Sequence, residues 1–260
     1  MLTTSANYGI IAANLTRSLK AAADKPQVAR ETAYYLDNIQ NVKSIDDFFS
    51  DDRIFAYAMK AFGLQDMTYA KAFMRKVVTE GIGKSDTFAN KLADTRYRDF
   101  ANTFNFAQFG ATTTIFDATR QGTVDRYVRQ TLEEDAGRQD EGVRLALYFE
   151  RKATDLTSPM GILADAALLK VAQTALGLPA TMSLLDIDKQ AGMIAARLDV
   201  EDLQDPEKLA KFLKRFTNLW EVSNPNAAAS APSLLIGQPV EAGIGGDLLA
   251  ILQNLKLGGS

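Results

Sequence analysis

Apolar residues recur at intervals of three and four along most of the chain and seldom alternate with polar ones, so the pattern predicts helix in segment after segment. At the start, "MLTTSANYGIIAANLTRSLKAAADKP" places Ile10, Ile11, Leu15 and Leu19 on one side of an amphipathic helix. Pro26 suits a first helical turn, where its missing N–H has no partner to lose, and opens a helix to about Ile39 with Val28, Thr32, Tyr35 and Ile39 along a face. Ser44, with Asp47 three residues on, has the form of a capping box for "SIDDFF". A helix from about Asp51 carries Ile54, Phe55, Ala58 and Phe62 and stops at Gly63, since glycine tolerates the left-handed C-terminal conformation. Thr68 starts another, containing Phe73, Val77 and Val78. "TRQGTVDRYVRQTLEEDAGRQDEGVRLALYFERKA" reads as one long connecting helix, laced with charge and weakened at Gly122, Gly137 and Gly142. The one candidate strand is "TTTIF" at residues 112–116. After Trp220, "NPNAAASAPSLLIGQPVEAGIGG" predicts a linker or extended arm, and "DLLAILQNLK" a short apolar helix.

The chain also resembles itself. "YYLDNIQNVKSIDDFFSDDRIFAYAMKAFGL" aligns without a gap on "YFERKATDLTSPMGILADAALLKVAQTALGL", so that Tyr34 falls on Tyr148, Ser44 on Ser158, Asp51 on Asp165, and Ala61, Gly63 and Leu64 on Ala175, Gly177 and Leu178. After a small insertion Phe100, Asn102 and Phe104 fall on Phe216, Asn218 and Trp220. Caps and aromatic anchors are what a duplicated helical unit retains. The expectation is an all-α fold of two pseudo-equivalent helical bundles with helical terminal arms. Its parts are an arm at 1–25, a first unit at 26–116, a connecting helix at 117–147, a second unit at 148–222, and a linker with C-terminal helix at 223–260.

Composition narrows the chemistry. Cysteine and histidine are both absent from the 260 residues, which removes disulfides, thiolate nucleophiles, imidazole catalysis and nearly all zinc, copper and haem sites. A formal net charge of −3 gives no basic footprint for nucleic acid or an anionic membrane. No apolar run is long enough to span a bilayer, and no basic residue precedes Arg17, so a secretory signal is not expected. "EGIGKSDTFANKLAD" contains Gly83-Lys84-Ser85, the ending of a phosphate-binding loop. That loop needs a further glycine five residues before Gly83, after a strand, and the position holds Val78 within a helix. The residues read instead as a turn: Gly81 ends one helix and Ser85 caps the next, with Asp86 in its first turn.

Other clusters have structural readings of the same kind. Asp46, Asp47, Asp51 and Asp52 lack the glycine and terminal glutamate of a calcium loop, and read as capping and dipole groups. Lys71, Arg75 and Lys76, with Arg96 and Arg98, read as a solvated basic face. Tyr34, Tyr35, Phe48, Phe49, Phe55 and Phe62 read as core.

At "NIQNVKSIDDFFSDDRIFAYAMKAFGL", "KAFMRKVVTEG", "KLADTRYRDFANTFNF" and "DPEKLAKFLKRFTNLW" the sequence resembles the bacterial family known as domain of unknown function 1217, over most of residues 34–220. Its members are often labelled flagellar proteins, so the resemblance implies association with the flagellum and carries over no catalytic residue. The leading expectation is a non-catalytic structural or assembly protein of the flagellum, exported without a signal or cytoplasmic. It would contact flagellar proteins or further copies of itself, with no cofactor, metal or small-molecule substrate. The candidate partner-binding residues are Ile10, Ile11, Leu15 and Leu19 in the first arm and Leu249 and Leu252 in the last. A cytosolic adaptor, chaperone or regulator of flagellar assembly, holding a partner helix in a groove between the halves, is the alternative. An enzyme of unknown type is the third class.

Overall fold

The computed structural model describes residues 2–224, so Leu249, Leu252 and the predicted C-terminal helix lie outside the described residues. Among the described residues regular structure is entirely helical. The helices are α1 (Thr4–Ala13), α2 (Leu15–Ala23), α3 (Pro26–Ile39), α4 (Ile45–Ser50), α5 (Asp52–Ala61), α6 (Lys71–Glu80), α7 (Phe88–Lys91), α8 (Thr95–Thr103) and α9 (Phe106–Phe109). They continue with α10 (Gln121–Gln139), α11 (Glu141–Ala153), α12 (Pro159–Leu163), α13 (Ala166–Leu176), α14 (Ile187–Ala195) and α15 (Pro206–Ser223).

Local chemistry sets most boundaries. Pro26 is the first residue of α3, and Ser44 with Asp47 forms the reciprocal capping box at α4. Asp51 caps α5 by accepting from the N–H groups of Arg53 at 2.9 Å and Ile54 at 3.0 Å. The long connecting helix of the sequence reading is two helices. Asp140 turns extended (φ −156°, ψ 112°) and its carboxylate accepts from Gly142 N–H at 2.8 Å, which stops α10 and caps α11. Residues 112–116 are not a strand: a 3-10 turn spans Gly110–Ile115, held by Thr112 and Thr113 hydroxyls donating back to the carbonyls of Phe109 and Gly110.

Two aromatic-rich cores result. The first gathers Tyr35, Ile39, Phe48, Phe55, Met59, Met74, Phe100 and Phe104 from α3 to α8. The second gathers Val143, Leu147, Phe149, Ile162, Val171, Leu213, Phe216 and Trp220 from α11 to α15. Helix α10 packs on α5, α2 and α11 and so joins the two.

The same hydrogen bonds recur in both cores at the aligned positions. Tyr34 donates to Asp51 at 2.7 Å and Tyr148 to Asp165 at 2.5 Å, and each aspartate caps the helix that follows it. Helices α5 and α13 both end on a left-handed glycine, Gly63 (φ 68°) and Gly177 (φ 63°). Just beyond, Leu64 N–H donates to Met59 C=O at 2.8 Å and Leu178 N–H to Gln173 C=O at 2.9 Å, the six-to-one bond of a Schellman termination. Buried positions correspond too: Ala58 with Ala172, Tyr35 with Phe149, Phe100 with Phe216.

The N-terminal arm breaks at Asn14 and lies on the body. Helix α1 packs on α11 and α15, and α2 packs on α10. Tyr8 belongs to the second core, Leu15 and Leu19 pack against the first, and Ile11 touches both.

Candidate functional site: the cleft between the helical halves

Charged side chains gather where α8 of the first half faces α11–α13 of the second. A cavity of about 450 Å³ opens there between the end of α5, α8, α10, α11 and the start of α13. A second of about 450 Å³ adjoins it, sharing Asp99, Arg126, Lys152 and Asp165.

Each wall is built from residues that also hold helices in place. Asp94 caps α8 by accepting from Arg96 N–H at 3.0 Å, and the Arg96 guanidinium returns to both Asp94 oxygens and to the Gly63 carbonyl. Burial alone would push the Asp94 carboxyl up, but the hydrogen bonds and charge of Arg96 outweigh it and hold it below the ordinary range. Across the cleft Tyr148 donates to Asp165, while Asp165 accepts from the Ala167 and Leu168 N–H groups. Burial, followed by the facing Asp165 charge, pushes the Tyr148 hydroxyl well above its usual range, which keeps it a donor.

The floor is a buried charge cluster between α10 and α11. Glu133, 2% exposed, takes Nε and Nη2 of Arg151, each at 2.8 Å, and Nε of Arg129 at 3.0 Å; Arg129 also reaches the Leu147 carbonyl at 2.8 Å. Glu150 stands beside this cluster with Oε2 3.6 Å from Arg129 Nη2, buried and without a hydrogen-bond partner. Burial pushes its carboxyl above the ordinary range, with Arg129 opposing. Arg144 pairs with Glu141, and Lys152 with Asp99 at 3.3 Å.

Other predicted residues are placed plainly. The aspartates of "DDFFSDD" are spread over separate tasks: Asp46 pairs with Arg75, Asp47 completes the capping box, Asp51 caps α5 and Asp52 pairs with Lys71. The basic face is thereby largely neutralised, with Lys76 near Glu80 and Arg96 on Asp94. At the glycine-lysine turn Gly81 (φ 63°) follows α6 as read, but the cap assigned to Ser85 is displaced. Thr87 occupies the N-cap position of α7, and Glu80 Oε2 accepts the Phe88 N–H at 2.7 Å. The Lys84 carbonyl, not its N–H, is drawn into the turn by Asn90 and Thr87, so the backbone makes no anion cradle.

Of the partner-binding candidates in the first arm, Ile10 is 55% exposed, while Ile11, Leu15 and Leu19 face the protein's own cores. A more exposed apolar set, absent from the sequence reading, sits at the turn entering α14: Leu184 at 86%, Leu185 at 44% and Ile187 at 56%. The signal was the run "SLLDID", three apolar residues that a short turn between helices cannot fold inward. No helix among the described residues is long and apolar enough to cross a membrane.

A family model described as a protein of unknown function, DUF1217, matches residues 61–209. An X-ray crystal structure of an Agrobacterium tumefaciens protein, solved as a structural-genomics target, is similar at a TM-score of 0.80 and 49% identity, covering 85% of this chain and 94% of that one. No curated protein matches the chain.

Proposed function

We propose that the chain, which belongs to the DUF1217 family, acts without catalysis, through protein–protein contacts, as a structural or assembly component of the bacterial flagellum. In this reading two copies of one duplicated helical unit form the scaffold, and exposed apolar side chains are the adhesive points. The observation that carries it is the turn of Leu184, Leu185 and Ile187, held in water on a body whose other large side chains are mostly internal. Leaving such groups solvated costs roughly 25 cal/mol per Å² against burial, which a partner recovers. The flagellar assignment itself rests on the family resemblance of the sequence.

The adaptor reading draws on a different observation, the cleft between the halves. Its walls are polar and charged, which suits a charged segment better than the apolar face of a helix.

Affinity purification from motile cells tests the proposal. The protein should recover identified flagellar components, and Leu184→Ser with Ile187→Ser should abolish that recovery and impair swimming while circular dichroism stays helical. Recovery without any flagellar component, together with normal swimming after gene deletion, would overturn it.

A further inference from the structure

We infer that the cleft is a receptor for an acidic peptide segment of a protein partner, with Arg126 as its gripping residue. The inference rests on the contact reading above and names the partner's chemistry. Arg96, Arg144, Arg151 and Lys152 are each paired with a carboxylate, and Asp94, Asp99 and Glu133 each with a cation, while Asp165 is taken by Tyr148 and two backbone N–H groups. Arg126 alone lines both cavities as a cation with no ion pair among the described residues.

Its guanidinium carbon sits 4.9 Å from the Phe62 ring centroid, and Phe62 is buried. No hydrogen bond takes its N–H groups among the described residues, so they stay free for a carboxylate, which a guanidinium takes bidentately. Arg98 lines the second cavity, also without an ion pair among the described residues; Asp155 is the one carboxylate there without a side-chain partner among the same residues. The paired groups are fixed by helix caps and by the buried Glu133 cluster, so the cleft offers a preformed wall with a surplus positive point. The two cavities adjoin through shared lining residues, which gives room for several residues of a chain bearing Glu or Asp.

The test titrates the full chain with a hexaglutamate peptide and, separately, with inorganic phosphate, reading amide and arginine side-chain shifts by NMR. Hexaglutamate should shift Arg126, Arg98 and the turn at Ala164–Ala167, and Arg126→Gln should weaken binding about tenfold or more while leaving the rest of the spectrum folded. Arg30→Gln, a change at an exposed arginine on α3 away from the cleft lining, should leave it unchanged. Absence of shifts, or equal weakening by Arg30→Gln, would overturn the inference. Shifts with phosphate and none with hexaglutamate would reassign the cleft to a phosphate ligand and overturn the peptide receptor. None of these outcomes touches the flagellar reading, which is decided in cells.

Discussion

Gly142 offers a sharp test of the packing. A Cβ built at this position would lie 2.3 Å from Trp220 Cδ1, 2.5 Å from Trp220 Nε1 and 2.8 Å from Thr4 Cγ2, where contact distances of about 3.5–4.0 Å are comfortable. The ring has little room to yield. It is 8% exposed, tilted against Phe216 at 5.8 Å, with Lys170 Nζ 4.7 Å from its centroid. Thr4 is held as well, since its hydroxyl donates to Asp140 at 2.6 Å, the residue that caps α11. Replacing glycine by alanine in a helix gains up to about 1 kcal/mol from propensity, less in a first turn, whereas overpacking costs about 1–3 kcal/mol. Gly142→Ala should therefore lower stability by about 1–2 kcal/mol. Gly192→Ala is the matched control: the same change inside α14, with nothing within 4 Å of the new Cβ, should raise stability by about 0.5–1 kcal/mol. Urea denaturation followed by circular dichroism measures both. Trp220 is the single tryptophan, so native fluorescence reports its ring directly and should change in Gly142→Ala alone. Equal stabilisation by both substitutions, with unchanged emission, would refute the reasoning.

Glu150 predicts a pH signature. Its folded carboxyl titrates above the unfolded value, so between the two the folded state holds a proton that the unfolded state has lost, and stability falls as pH rises through that window. Glu150→Gln should thus raise the urea midpoint at pH 7, and the advantage should vanish as pH drops below the ordinary carboxylate range near about 4; a lower midpoint at pH 7 would mean that attraction to Arg129 dominates. At the glycine-lysine turn, Glu80→Ala should cost about 1 kcal/mol by freeing the Phe88 N–H, while Lys84→Ala and Ser85→Ala should each change stability by under about 0.5 kcal/mol in thermal melts. A larger loss from Ser85→Ala would return the cap to that serine.

The sequence made local structure legible where one residue decides it. Pro26, the Ser44–Asp47 box, Asp51 and Gly63 each act within four residues, and each does what its type and position imply. The break at Asp140 escaped because the charged, helix-favouring residues around it read as continuous, although Asp140 followed by Gly142 carried the capping signal. The cleft was less readable. Arg129, Glu133 and Arg151 lie in the stretch read as one charge-laced connecting helix, and the docking of α10 on α11 turns them toward one another. The terminal arm is ambiguous in sequence for a related reason: an apolar stripe shows that a helix must bury one side, but not whether its own body, as for Ile11, Leu15 and Leu19, or a partner supplies the cover.

The placement of α1 has a further consequence for how the chain is made. Tyr8 completes a core whose members Phe216 and Trp220 lie about two hundred residues later, so its contact with α15 must wait until that helix is made. At translation rates of roughly 5–20 residues per second the delay is about 10–40 seconds, long against the microseconds in which a helix forms. During that interval the first core can close and receive Leu15 and Leu19, while Tyr8 and its face of α1 lack their α15 cover on the nascent chain. That face is open to a general chaperone until α15 arrives.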